Sequence, residues 1–116
     1  MKKRTLSMLM LVLVLIFAAI PMASAASSQT SVQITGQGNL VFSGLLHGGH
    51  LPYYGPEGSF KVTNSSGQVV FSDYRATNSD PGYFLFKVPN LPYDTYTITG
   101  TAETPNTSVE FYTPSF

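Results

Sequence analysis

Cysteine is absent from this chain of 116 residues. Its absence excludes a disulfide framework, a thiolate metal site and a cysteine nucleophile. Charged residues are also few, at 10% of the chain. After residue 25 there remain three Lys and Arg residues against six Asp and Glu residues, so 3 − 6 gives a net charge of −3. We therefore expect neither nucleic acid nor an anionic membrane as a partner of the mature chain. We also expect no cofactor.

The first 25 residues have the order of a secretory signal. Met1–Arg4 is basic, Leu6–Ile20 is apolar, and Ala23–Ala25 offers small residues to a signal peptidase. Cleavage before Ala26 would leave residues 26–116 as one secreted domain, extracellular or periplasmic. An uncleaved membrane anchor is the alternative. Its apolar run of 15 residues, at about 1.5 Å per residue, is short for a hydrocarbon core of about 30 Å.

The remaining sequence favours strands. No stretch after Ala26 repeats apolar residues at helical spacing, whereas threonine, valine and aromatic residues are frequent. Short turn-forming groups divide it into seven candidate strands, near residues 31–35, 39–45, 59–63, 68–72, 82–88, 93–99 and 107–112. Such a pattern is typical of an antiparallel β-sandwich. We predict an all-β fold, a single seven-stranded antiparallel β-sandwich of prealbumin or immunoglobulin type.

Two of these strands indicate which side faces the core. In 93–99, alternation places threonines on one side and Tyr96 on the other, so one face is wet and one is buried. In 82–88, Phe84 and Phe86 share one side. We expect both phenylalanines to lie in the core.

The stretch GYFLFKVPNLPYDTYTITG, residues 82–100, resembles the end of a carboxypeptidase regulatory-like, or transthyretin-like, β-sandwich domain. The matching residues are Gly82, Phe84, Leu91, Pro92, Tyr96 and Ile98, with Gly44, Pro52, Gly58, Phe60 and Val62 upstream. Asp94 stands where the family has glycine, and Glu57-Gly58 where it has Gly-Ala, so a different turn geometry is expected at Asp94. The resemblance, over roughly residues 39–100, implies a non-catalytic accessory, adhesive or carbohydrate-associated module.

Catalytic and metal-binding residues are not gathered in the sequence. His47 and His50 are the only histidines, and no G-x-S-x-G motif accompanies the serines, so we expect no enzyme and no catalytic residue. Gly48-Gly49 disfavours a helix that would align the histidines, and on a strand they would point to opposite faces. Only a tight loop could bring both together with Glu57 as ligands. We expect two exposed loop histidines and no metal site.

Tyr53 and Tyr54 are the candidate binding residues. Adjacent aromatic rings on a loop between prolines could form a stacking platform for carbohydrate or peptide. The alternative is that one ring caps the open end of the sandwich while the other lies against a strand. Asn64 and Asn106 each begin an N-x-S/T sequence, which matters only in a host that glycosylates secreted chains.

Assembly through edge strands is the remaining hypothesis. The segments Ser31–Thr35 and Thr107–Tyr112 could each pair with another chain, or lie as ordinary strands within their own sheet. We therefore expect a non-enzymatic secreted or cell-envelope module with a structural, adhesive or assembly role, possible homo-oligomers included. Its partners would be other protein chains or extracellular polysaccharide. The alternative is a small carbohydrate-binding module that uses the Tyr53-Tyr54 loop.

Overall fold

The computed structural model describes residues 28–116, and the predicted signal at 1–25 lies outside them. The described residues form five strands: β1 (Gln29–His47), β2 (Glu57–Thr63), β3 (Val69–Ala76), β4 (Gly82–Ala102) and β5 (Ser108–Phe111). All five belong to one antiparallel sheet in the order β3-β2-β4-β1-β5. The prediction of an all-β, antiparallel fold is confirmed for residues 28–116. From residue 28 onward, no helix is long and apolar enough to cross a membrane.

The sheet has five strands and not the seven that were predicted, because two pairs of predicted strands are continuous. β1 contains the predicted strands 31–35 and 39–45, and β4 contains 82–88 and 93–99. The turn signals between them mark irregular pairing instead of a chain reversal. The β1–β4 register shifts on both sides of Gly38, where φ is 101°. Glycine adopts this conformation readily, so the strand is kinked there without ending.

β1 and β4 bend far enough for the two halves of the sheet to face each other. Phe60 of β2 lies opposite Gly100 in β4, yet its ring centroid is only 4.4 Å from that of Phe84 in the same strand β4. In a straight strand, the positions 84 and 100 would be about 50 Å apart at about 3.3 Å per residue. The contact therefore requires the sheet to fold back across its apolar side.

Phenylalanine rings fill the space between the two halves. The ring of Phe42 lies 5.3 Å from that of Phe86, 6.4 Å from that of Phe60 and 6.2 Å from that of Phe111. The expected burial of Phe84 and Phe86 is confirmed, since they are 1% and 5% exposed. The core thus draws aromatic side chains from β1, β2, β4 and β5, which holds together a fold without disulfides.

Tyr96 also lies in the core, as its place in the alternation predicts. Its hydroxyl donates a hydrogen bond to the carbonyl oxygen of Pro92, and its ring lies 6.0 Å from that of Phe116. Burial raises the pKa of Tyr96, and the nearby Asp94 carboxylate adds to the effect. Between the predicted strands 82–88 and 93–99, the residue with positive φ is Asn90, at 58°. Asp94, where a different turn geometry was expected, does not have a positive φ.

Candidate functional site

The loop between β1 and β2, residues 48–56, is tightly built. The His50 carbonyl accepts hydrogen bonds from the backbone N–H groups of Tyr53 and Tyr54, and the His50 N–H donates to the Tyr54 carbonyl. The loop is also fixed at both ends. The Gly48 N–H donates to the Asp80 carboxylate at 2.9 Å, and Gly55 lies so close to Thr77 that a Cβ would come within 1.7 Å of its carbonyl oxygen. Residues 50–54 in the middle of the loop are therefore held in place by contacts at both of its ends.

The exposed aromatic pair in this loop is His50 with Tyr53. The two rings stack at 5.3 Å between centroids with 15° between their planes, and Tyr53 is 81% exposed. Tyr54 is half-buried, and its ring is tilted by 35° to that of His50. Of the two predicted binding residues, Tyr53 is displayed to solvent and Tyr54 is partly covered. His50 was missed as a partner of Tyr53, because their contact depends on the turn closing at residues 50–54.

The candidate metal ligands have separate surroundings. His47 Nε2 lies 2.8 Å from Glu110 Oε2 on β5, and His50 is stacked on Tyr53. Glu57 begins β2 opposite Ala76. In residues 28–116, no group of three His, Asp or Glu side chains is placed to hold a metal ion.

The outer side of one half of the sheet is polar and internally hydrogen-bonded. Along the N-terminal half of β1 and the C-terminal half of β4, opposite side chains bond to each other; β2 and β3 add Ser59, Lys61 and Tyr74 to the same side. The pairs are Gln29–Thr101 at 3.4 Å, Ser31–Thr99 at 3.2 Å, Gln33–Thr97 at 3.3 Å and Thr35–Thr95 at 2.8 Å. Thr95 and Thr97 lie on the wet face that the threonine alternation predicts, whereas Thr99 on the same side is only 6% exposed, so the prediction holds for two of the three threonines.

The outer side of the other half carries apolar side chains between polar ones. Its apolar residues are Val41, Leu45, Tyr83, Leu85 and Tyr112, which we call the apolar patch; Ser43, His47, Lys87 and Glu110 lie on the same side. Tyr83, Leu85 and Tyr112 are 58%, 51% and 46% exposed. Tyr83 lies opposite Leu45 in the pairing of β4 with β1, and Tyr112 is bonded through its N–H to the Ser43 carbonyl beside them. The alternation of residues 82–88 places Tyr83 and Leu85 on one side of the strand, but it does not indicate which residues of β1 and the C-terminal segment join them.

The two segments considered as candidates for pairing with another chain both pair inside the sheet. Residues 31–35 of β1 lie opposite 95–99 of β4, and β5 lies opposite residues 44–47 of β1. Each segment therefore pairs on one side with a strand of its own chain. Pairing of either one with another chain stays a prediction.

No model of a known protein family matches the chain, and no curated protein matches it. The resemblance to carboxypeptidase regulatory-like domains accordingly rests on the residues of this sequence alone.

Proposed function

We propose that this chain is a secreted, non-enzymatic β-sandwich module that acts at the cell envelope or outside the cell through contacts with other proteins. The observation that carries the proposal is the apolar patch on the outer side of the sheet. A structural, adhesive or assembly role would follow from a surface that binds another protein.

The proposed sandwich of carboxypeptidase regulatory-like type is supported by two features. The bends in β1 and β4 bring two halves of the sheet face to face across a layer of phenylalanine rings. The Tyr96 hydroxyl also donates a hydrogen bond to the backbone carbonyl of Pro92, four residues upstream. This bond is similar to the tyrosine corner of β-sandwiches, although Tyr96 lies within the continuous strand β4.

Protein contact is favoured because three apolar side chains of one outer face, Tyr83, Leu85 and Tyr112, are exposed close to one another. The hydroxyl and amide groups of the polar face bond to one another, which shows that this strand pair can present a fully polar surface. The exposed apolar side chains on the other half are therefore not required for the pairing of β1 with β4. Contiguous exposed apolar residues typically mark surfaces that another molecule covers, and tyrosine is enriched in the centres of protein interfaces.

A photo-crosslinker on the apolar patch tests this proposal. With p-benzoylphenylalanine in place of Tyr83, irradiation of the producing cells should yield covalent protein adducts, because a partner would cover that side chain. The matched control is the same replacement at Tyr93, which is 71% exposed and lies outside the patch. The proposal is wrong if position 83 gives no protein adduct, or if positions 83 and 93 give equal yields.

The second candidate function is carbohydrate binding, favoured by the stacked rings of His50 and Tyr53. Tyr53→Ala should remove retention on an insoluble polysaccharide, because the exposed ring would supply the stacking surface. The melting temperature should stay nearly unchanged, since Tyr53 is 81% exposed. Retention is measured by affinity electrophoresis against a panel of cell-wall and plant polysaccharides, with Tyr93→Ala as control. The candidate function is contradicted if the unchanged chain, Tyr53→Ala and Tyr93→Ala are retained equally on every polysaccharide that binds the unchanged chain.

A further inference from the structure

We infer that residues 83–87 of β4 pair with the same residues of a second copy of this chain. The two strands would run antiparallel around a two-fold axis at Leu85. The inference rests on the proposed function, in which the module works through protein contacts, and it identifies the partner as a second copy.

The first argument is that the outer edge of this segment has no strand beside it. β4 pairs with β1 along both of its halves, but with β2 only from Thr97 to Ala102. Among residues 28–116, no other strand pairs with the segment 83–87. An uncovered edge of this kind is a template for another strand.

The second argument is that the backbone groups of this segment point outward. In an antiparallel strand, the N–H and C=O of one residue point to the same side, and the side alternates along the chain. Val41 exchanges hydrogen bonds with Ser115, and the Ser43 carbonyl accepts from Tyr112, so both residues of β1 point away from β4. Their opposite residues Lys87 and Leu85 consequently point away from β1.

The same alternation makes Tyr83 point outward, since the register is regular from Leu46 opposite Gly82 to Leu40 opposite Val88. Three residues of β4 thus offer their backbone donors and acceptors at the free edge: Tyr83, Leu85 and Lys87. Their side chains lie on the solvent side of the sheet and are all exposed. A strand added here would widen the sheet and extend the apolar patch.

The third argument is that this segment is complementary to itself. With the axis at Leu85, each Leu85 lies opposite its copy, and each Tyr83 lies opposite Lys87 of the second copy. These are an apolar pair and two pairs of a cation with an aromatic ring, which is a favourable cross-strand set. An axis at Lys87 would place two lysines opposite each other, and an axis at Tyr83 would leave Lys87 beyond the strand of the second copy. The Leu85 register alone uses all three residues.

The other free edges suit self-pairing less well. Residues 29–39 of β1 also have a free edge without charges, but the outer side chains there are polar, so a strand added at that edge would not extend the apolar patch. β3 has Asp73 and Arg75 exposed along it, and β5 has only four residues, with an exposed Glu110. Charged residues and short length are common protections of an edge strand. The segment 83–87 carries one charge. The guanidinium of Arg75 lies 5.1 Å from the ring centroid of Phe86, on the side of the strand opposite to the apolar patch.

Charge exchange at Leu85 tests both the surface and the register. The full chain, produced with export, should form dimers by sedimentation velocity, and Leu85→Lys and Leu85→Glu should each weaken dimerisation about 100-fold, because two apolar contacts are replaced by like charges. Mixing the two variants in equal amounts should restore a dimer, since lysine would then face glutamate. Val69→Lys is the matched control, because Val69 is 57% exposed on the edge strand β3; it should dimerise like the unchanged chain.

Each result separates this inference from the proposed function. A chain that stays monomeric at millimolar concentration overturns the self-pairing, whereas adducts from position 83 with a different protein would still support protein contact. Dimers that Leu85→Lys leaves intact place the interface elsewhere and overturn the inference. Two monomeric variants that do not dimerise on mixing overturn the register at Leu85. Circular dichroism and melting of each variant verify that the fold is kept, as expected for a side chain that is 51% exposed.

Discussion

Replacing Phe60 by alanine should lower the free energy of unfolding by about 3–5 kcal/mol. The Phe60 side chain is 2% exposed and packs from β2 against rings of the opposite half of the sheet, at 4.4 Å from Phe84 and 5.0 Å from Phe86 between centroids. Alanine would leave a cavity at the point where the two halves meet. Since a domain of this size has a total stability of about 5–10 kcal/mol, the variant should be close to unfolded at 37 °C.

Urea unfolding followed by tyrosine fluorescence measures this effect. Tyr74→Ala is the control, because Tyr74 belongs to the adjacent strand β3 and is 50% exposed. Its loss should change the free energy of unfolding by less than about 1 kcal/mol. Equal losses in the two variants would show that Phe60 does not join the two halves of the sheet.

Gly44→Ala should destabilise the protein by about 3 kcal/mol or more, mainly by forcing β5 away from β1. A Cβ at position 44 would lie 1.9 Å from the Glu110 carbonyl oxygen and 2.9 Å from Cζ of Phe84. The first is a backbone atom of a paired strand, so no side-chain rotation can remove the clash. Glycine is required here for the close approach of the two backbones.

Urea unfolding and amide hydrogen exchange of β5 measure the effect of Gly44→Ala. Gly38→Ala in the same strand is the control: its φ is 101°, but no heavy atom lies within 4 Å of the added Cβ. That variant bears only backbone strain, about 1–2 kcal/mol. Loss of protection in β5 should occur in Gly44→Ala alone. If β5 keeps its protection there, the close approach at Gly44 is not what holds β5 in place.

Much of the fold can be read from local sequence, because the side of a strand on which a residue lies depends only on a period of two. That period correctly placed Phe84, Phe86 and Tyr96 in the core and Thr97 on the wet face. The period of two does not distinguish a turn from a kink within a strand. Glycine and asparagine are common in both, so Gly38 and Asn90 do not decide between them. The long-range pairing of β1 with β4 decides that the strands continue.

The candidate surfaces were predictable only in part, for a related reason. The loop carrying Tyr53 lies where the sequence placed it, but the contact of Tyr53 with His50 depends on the closure of the turn. The apolar patch joins residues from β1, β4 and the C-terminal segment, so it exists only after strands far apart in the chain have paired. By itself, the sequence determined the class of fold, its core phenylalanines and its polar threonine face, since alternation is local. Only the tertiary structure decided the number of strands, the apolar patch and the free edge of β4, because each depends on which distant segments lie side by side.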